Sequence, residues 1–243
     1  MTGIDLDLIG QHQTESCELE GGHVRFSSMI ARDLSGDVRA QTRDVLGLVD
    51  ECLAVRGMDR ASVLIVHIWL RDMSLFQGMT AEWNNWIGDL DPPSRSCVSG
   101  GPVVPGALLA VDVTAVLPEA PVGKEAIRRF GLVRGPGRPT MCLALGLGDW
   151  FTVCTLASDC SAGIAGQTQQ ILRVFDGFMG DAAIKKTDAS KLEVWLKDID
   201  DVDAVSGVLA NWFAPAQPPA LTVVGANMAS PDMLIEIRLT AAI

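Results

Sequence analysis

The chain repeats itself. At a shift of 126 residues Thr14 answers Thr140, Gly22 answers Gly148, Gln41-Thr42 answers Gln167-Thr168, and Leu46 answers Leu172. The match then tightens: Trp69-Leu70-Arg71-Asp72 stands against Trp195-Leu196-Lys197-Asp198, Asn85-Trp86 against Asn211-Trp212, and Pro92-Pro93 against Pro218-Pro219. Tryptophans and a proline pair recurring at one offset are hard to produce by chance, so the 243 residues read as two copies of one unit. After the prolines the alignment is read with two extra residues in the first copy, around Gly100 to Gly106, which sets Asp112 against Glu236 at an offset of 124. The copies then span about 14–116 and 140–243. The expected organisation is a first domain over 1–117, a linker over 118–139 and a second domain over 140–243. The linker is rich in Pro, Gly and Arg, with one short helical turn around Lys124 to Phe130.

Each copy resolves into the same series of elements. An extended hairpin turns at Gly21-Gly22 in the first copy and at Gly148-Asp149 in the second. Asp37 caps a helix whose apolar positions Val38, Val45, Leu46, Val49, Cys52 and Leu53 recur at helical spacing, and Gly57 stops it. Ser62 to Leu70 is nearly all β-branched or large and apolar, as a central strand is. A second helix starts near Ser74, lines up Leu75, Met79, Trp83, Trp86 and Ile87, and ends before Pro92-Pro93. Two closing strands follow, Arg95 to Ser99 and Leu108 to Val116. The fold class is therefore α+β: two tandem ββαβαββ domains, each a sheet with two helices on one face. The other face is expected to be apolar and in need of a partner.

Composition narrows the function. Hydrophobic residues make up 48% of the chain and charged residues 20%, which excludes a disordered chain. The apolar runs are too short to span a bilayer, so no membrane partner is expected. The N-terminal Met-Thr-Gly-Ile-Asp-Leu-Asp lacks the basic start and apolar stretch of a secretory signal, which predicts a cytoplasmic protein. The net charge is −11, and residues 1–120 hold 17 acidic against 8 basic side chains. Affinity for nucleic acid comes from Lys and Arg neutralising phosphates, so nucleic acid is a poor candidate partner. Six cysteines without CxxC spacing, mostly inside apolar segments, predict reduced core thiols and no disulfide.

Three segments of the first copy carry a resemblance. Gly36-Asp37-Val38-Arg39-Ala40-Gln41-Thr42-Arg43, Trp69-Leu70-Arg71-Asp72-Met73 and Pro93-Ser94-Arg95-Ser96-Cys97-Val98 resemble, in order and spacing, the RidA/YjgF family of reactive-intermediate deaminases. The resemblance covers the whole of the first copy and, more weakly, the second. It implies a chorismate-mutase-like fold, trimers whose sheets form a central barrel, and clefts between subunits that hydrolyse enamines or imines to ketones and ammonia. By residue-to-residue match it implies that Arg95 binds the substrate carboxylate, that Asp112 holds the attacking water, and that Cys97 lines the pocket. Ser27-Ser28-Met29 stands where the family has Ser-Gly-Gln, which brings Ser28 to the pocket. The family's Gly-Pro-Tyr segment is missing, and the chain has no tyrosine at all, which leaves room for a different substrate or a different C–N hydrolysis.

The chemistry of the residues agrees with that assignment. A guanidinium fork recognises a carboxylate bidentately and stays charged at physiological pH. Strand alternation turns Asp112 away from Val111 and Val113, leaving a carboxylate among apolar neighbours. Imine hydrolysis needs a positioned water, a carboxylate to accept its proton and a proton for the departing nitrogen. No metal or cofactor is required. In the second copy Leu221 replaces Arg95 and Val223 replaces Cys97, while Glu236 is read as keeping the acid, a wall of the substrate cleft. Other features read as structural. His12, Cys17 and His23 fit no zinc spacing. His67, in the central strand and matched by Glu193, is read as a half-buried structural residue. Asp198 to Asp203 is a solvated helix start, with calcium a weak second reading. Trp83 and Trp86 are core positions, Trp86 also a candidate aromatic wall of the cleft.

The leading expectation is a metal-independent hydrolase of a small carboxylate-bearing C–N substrate, assembled as a homotrimer of about 78 kDa, three times the 25.9 kDa chain. The alternatives are a pathway-specific C–N hydrolase or lyase on a cyclic or aromatic carboxylate, and a binding or assembly protein that does not turn its metabolite over.

Overall fold

Capping chemistry and glycine fix where the helices of the first copy begin and end. Asp37 accepts a hydrogen bond from the Ala40 N–H and opens α1, Val38–Val55. Gly57, at φ +68°, takes the left-handed turn that closes it. Asp72 caps a 3-10 turn, Met73–Leu75, which runs into α2, Phe76–Ile87. The second helix thus begins two residues beyond Ser74, and Gly88 rather than the proline pair ends it.

The computed structural model describes residues 16–19, 21–102 and 104–242. His12 and Thr14 lie outside the described residues. The chain divides into two units: the first runs to Glu125 and takes in Val133–Met141, and the second comprises Ala126–Leu132 and Cys142–Ile243.

In the first unit the strands are β1 (Ser16–Leu19), β2 (His23–Met29), β3 (Val63–Leu70), β4 (Ser94–Ser99) and β5 (Leu109–Val116). Their order is β1-β2-β5-β3-β4; β3 and β4, joined through α2, are parallel and the other pairs antiparallel. The second unit has β6 (Arg128–Val133), β7 (Met141–Leu147), β8 (Trp150–Leu156), α3 (Ile164–Ala182), β9 (Ala189–Leu196), α4 (Val202–Phe213), β10 (Ala220–Gly225) and β11 (Ile235–Ala242). Its order is β7-β8-β11-β9-β10, with β6 added beside β7. Each unit is the ββαβαββ arrangement of an α+β fold.

One face of each sheet carries the core. In the first unit Val45, Leu46, Val49 and Leu53 of α1 and Met79 and Trp83 of α2 pack on Val66, Ile68, Leu70, Val111 and Val113. In the second, Ile171, Leu172 and Phe175 of α3 and Val205, Leu209 and Phe213 of α4 pack on Val194, Leu196, Ile237 and Leu239. The opposite faces correct the expectation of an apolar surface. There β3 carries His67 and Trp69 and β5 carries Asp112 and Thr114, while β9 carries Lys191 and Glu193 and β11 carries Glu236 and Arg238. Strand alternation hid these side chains among apolar neighbours that all belong to the helix side.

Segment 118–139 carries structure of its own. Lys124–Ala126 forms a 3-10 turn, and Lys124 pairs with Asp59 at 2.7 Å. Arg128–Val133 is strand β6. Beyond it the chain is stitched to the end of α2: Arg134 donates to the Gly88 and Leu90 carbonyls, Asn84 donates to the Arg138 carbonyl, and Trp83 Nε1 donates to the Thr140 carbonyl at 2.8 Å. Among the described residues no helix is long and apolar enough to cross a membrane.

Candidate functional site

Two constellations form on opposite faces of the first unit's sheet. On the helix side, Arg95 of β4 lies beside Val66 of β3 in the parallel register, which turns its side chain toward α2. The guanidinium carbon sits 5.4 Å from the Phe76 ring and 5.4 Å from the Trp83 ring. Nη2 reaches Thr80 Oγ1 and Met79 Sδ, each at 3.4 Å. Arg95 is only 2% exposed, and an aromatic shelf of this kind stabilises a desolvated guanidinium by cation–π attraction. Cys97, two residues on, shares this side and is buried in the core cluster.

On the other side, Asp112 of β5 stands directly across from His67 of β3. Its Oδ1 accepts the Ser28 backbone N–H at 2.7 Å, and its Oδ2 accepts from Trp69 Nε1 and Arg25 Nη2, both at 3.3 Å. The side chain is 14% exposed. Ser28 can aim its N–H there because the β2–β5 register shifts between Phe26 and Met29, and Ser28 adopts φ +57°, a left-handed conformation uncommon for serine. Beside the acid, His67 Nδ1 lies 2.5 Å from Ser96 Oγ, and its ring lies tilted at 57° against Trp69 with centroids 4.2 Å apart.

Of the residues singled out in the sequence, the structure thus joins Asp112 with Ser28, and Arg95 with Cys97, but separates the two pairs by the sheet itself. Trp86 belongs to neither. Its Nε1 donates to both Asp50 oxygens at 3.1 Å, and the Arg60 guanidinium lies 5.0 Å from its ring and pairs with Asp50 at 2.6 Å. Copy two builds the same clamp from Trp212, Asp176 and Lys186, with the same 3.1 Å donations and Lys186 4.2 Å from the ring. A clamp present in both copies holds two helices together.

Glu236 requires a correction. The expectation that it matches Asp112 rested on a two-residue gap, but the ladders keep one offset of 126 to the end. His67 faces Asp112, and its counterpart Glu193 faces Arg238; Trp69 faces Ala110, and Trp195 faces Glu236. The acid position of copy one therefore holds Arg238 in copy two, and Glu236 occupies the place of Ala110. A slip of two residues preserves the inward and outward alternation of a strand, so pattern alone did not expose it. Thr114-Ala115 against Thr240-Ala241 was the signal that fixes the offset. Glu236 accepts from the Cys154 thiol at 3.3 Å, and burial pushes that thiol well above its ordinary pKa, the reverse of an activated nucleophile.

Sequence reasoning passed over Arg25 and Trp69 as partners of the acid. Trp69 had a signal, its recurrence as Trp195; Arg25, replaced by Phe151, had none. The sequence reads His67 as structural, and the register sets it across from Asp112. Cys17 is exposed in β1 and His23 is buried in β2. Among the described residues no group of three or more His, Cys, Asp or Glu side chains is gathered to hold a metal ion.

Comparison with known proteins gives this architecture a family. The sequence profile that matches is that of Endoribonuclease L-PSP, over residues 19–117 and again over 155–243. A RutC family protein of Haemophilus influenzae is 38% identical over 58 residues, covering 24% of this chain and 50% of its own length. A RutC family protein of Haemophilus ducreyi is 25% identical over 96 residues, 40% of this chain and 82% of its own. The chain thus spans about half the length of the first relative and most of the second. A crystal structure of a YjgF family member from Neisseria meningitidis is 33% identical, covers 41% of this chain and 82% of its own, and has a TM-score of 0.39. A chorismatase structure covers 94% of this chain and 80% of its own at a TM-score of 0.69; at 14% identity the likeness is one of fold alone. The chain belongs to the Endoribonuclease L-PSP family, the RidA/YjgF group that its sequence resembles, and carries the family's domain twice.

Proposed function

We propose that the chain is a metal-independent hydrolase of small carboxylate-bearing imines or enamines, releasing ammonia. The observation that carries this reading is the cradle of Asp112, a carboxylate aimed by a backbone N–H at 2.7 Å and two side-chain donors at the edge of solvent. In the reaction Asp112 takes a proton from the water that attacks the C=N carbon, and Arg95, with Cys97 beside it, receives the substrate carboxylate through its guanidinium fork. Ser28 contributes its N–H to the acid. Domain 1–117 carries the chemistry, and domain 140–243, with Leu221 and Arg238 in place of the key pair, is the degenerate partner. Since Arg95 and Asp112 lie on opposite faces of one sheet, a substrate that touches both is shared between two copies of the chain, in line with a homotrimer. The acidic first half favours a small molecule over nucleic acid as substrate.

The test is ammonia release from a 2-imino acid generated in situ by oxidation of an L-amino acid, with chelator present. The wild type accelerates release, and Asp112→Asn lowers kcat by about 100-fold or more. Light scattering gives about three times the 25.9 kDa chain mass. No acceleration, with retained binding of the 2-keto acid, overturns the reading in favour of a binding protein.

A further inference from the structure

The acid of the proposed reaction has a cation at its side, on its own face of the sheet. Arg25 of β2 stands directly across from Thr114 of β5, which makes it the diagonal neighbour of Asp112 on that strand. Its Nη2 reaches Asp112 Oδ2 at 3.3 Å, and that bond engages only one of the several N–H donors a guanidinium carries. The Arg25 side chain is 43% exposed and the Asp112 side chain 14%, so a ligand arriving from solvent meets both. The other groups that donate to the acid, Trp69 Nε1 and the Ser28 backbone N–H, bring no charge. On the β1 side Arg25 faces Cys17, which brings no carboxylate. Copy two keeps neither member of the pair: β8, Trp150–Leu156, has no arginine, and Arg238 holds the acid's place.

Charge decides what such a pair admits. A carboxylate base repels any further carboxylate brought close to it, and the cost is offset only by a cation that faces both. Arg25 is bonded to the base already, and its planar fork suits a carboxylate in two parallel hydrogen bonds. In the proposed reaction Arg95 takes the carboxylate attached to the imine carbon, which leaves Arg25 for a second one. We infer that Arg25 is a specificity-determining residue of the first copy, and that the substrate it selects is the 2-imino acid of a short dicarboxylic amino acid. The distal carboxylate sits on the Arg25 guanidinium while the imine carbon faces the water held by Asp112. The inference rests on the proposed imine hydrolysis and adds to it the side chain of the substrate. Because guanidinium and base are in contact, the distal carboxylate has to lie close to the imine carbon, which favours a side chain as short as that of glutamate. A neutral side chain of the same length gains nothing from Arg25.

The experiment gives the full chain and its Arg25→Gln variant 2-imino acids made in situ by oxidation of L-glutamate and of L-methionine, which is similar in length and neutral. The readout is the ratio of the two kcat/KM values. In the wild type the glutamate imine is expected to be preferred by about tenfold or more, chiefly through KM, and in Arg25→Gln the ratio falls to about one. A variant that loses activity toward both imines by the same factor, keeping the ratio, shows an arginine that serves Asp112 alone, and that result overturns the inference. A wild type that hydrolyses both imines without preference also overturns it while the imine reading stands. If the wild type is inert toward both, the two fall together. Should Arg25→Gln fail to fold by circular dichroism, calorimetry on the wild type decides: 2-oxoglutarate is expected to bind about tenfold or more tightly than the keto acid of methionine, and equal binding overturns the inference.

Discussion

Copy one and copy two of this chain agree in one class of residue and part company in another. Gln41 donates to the Leu34, Gly36 and Gly106 carbonyls and accepts from the Leu108 N–H; Gln167 does the same with Cys160, Ala162, Asp232 and Leu234. Each glutamine ties the loop before a helix to the loop before the last strand, using a fully buried amide to satisfy backbone groups that no ladder reaches. The Trp86–Asp50–Arg60 clamp recurs as Trp212–Asp176–Lys186. What changes is the set of charged and aromatic groups around β4 and β5. Arg95 becomes Leu221, and its two aromatic shelves Phe76 and Trp83 become Val202 and Leu209. The facing pair His67 and Asp112 becomes Glu193 and Arg238. Within a duplicated chain, then, the side chains kept in both copies are those that hold the fold. Those that diverge together are the groups on which the proposed function of the first copy rests.

The largest effect that would break this comparison concerns the arginine. Arg95→Ala should cost about 2–4 kcal/mol of interaction with the substrate, a tens- to hundreds-fold fall in kcat/KM. Leu221→Ala, at a position 43% exposed, should leave kcat/KM unchanged. Equal kinetic damage from the two substitutions would mean that the copies share the chemistry after all.

A smaller, symmetrical effect is expected from the glutamines. Gln41→Ala and Gln167→Ala each strand buried backbone groups, at 1–3 kcal/mol or so for each group left unsatisfied, so each variant should lose roughly 3 kcal/mol of stability in urea unfolding. The two losses should match within about 1 kcal/mol, as expected of one structural device used twice. A loss confined to one variant would show that the copies lean on this device unequally.

The smallest effect sharpens the comparison at the helices of copy one. Glu82 of α2 accepts from Arg39 of α1 at 2.9 Å and pairs with Arg43 at 3.2 Å, where copy two has Val208, Ala165 and Gln169. The hydrogen bond from Arg39, with Arg43 in support, holds the Glu82 carboxyl below its ordinary pKa. A carboxyl lowered in the folded state stabilises the protein above the ordinary carboxylate range and stops doing so as pH falls through the lowered value. With both arginines about half exposed the contribution is under about 1 kcal/mol. Glu82→Gln should therefore lower the urea midpoint slightly at pH 7, with the difference from wild type vanishing in strong acid. A constant difference across that range would contradict the ion-pair account.

Much of the fold was legible because it is local and repeated. The capping Asp37, the stopping Gly57 and the apolar spacing from Val38 to Leu53 define α1 without reference to anything distant. The alternation in β5 told that Asp112 faces away from Val111 and Val113, and it does. The rest depended on neighbours far along the chain. Strand β6 inside the expected linker becomes a strand through its pairing with β7, and a six-residue segment with two arginines at its head carries little strand signal alone. The partner of Asp112 in copy two could not be read from an acid two residues away, because hydrogen-bond register is a relation between strands. Nothing nearby in the sequence indicates that Asp112 stands across from His67.

The sequence by itself determined the duplication, the order of elements in each copy, the family and the loss of the arginine from copy two. All of these follow from spacing and residue type, which survive in one dimension. Only the tertiary structure decided that Arg95 and Asp112 occupy opposite faces of one sheet, that Arg238 and not Glu236 stands in the acid's place, and that Asp112 faces His67 across the strands. Faces and cross-strand neighbours exist only once the ladders are formed, and a period of two residues leaves more than one register compatible with the same pattern.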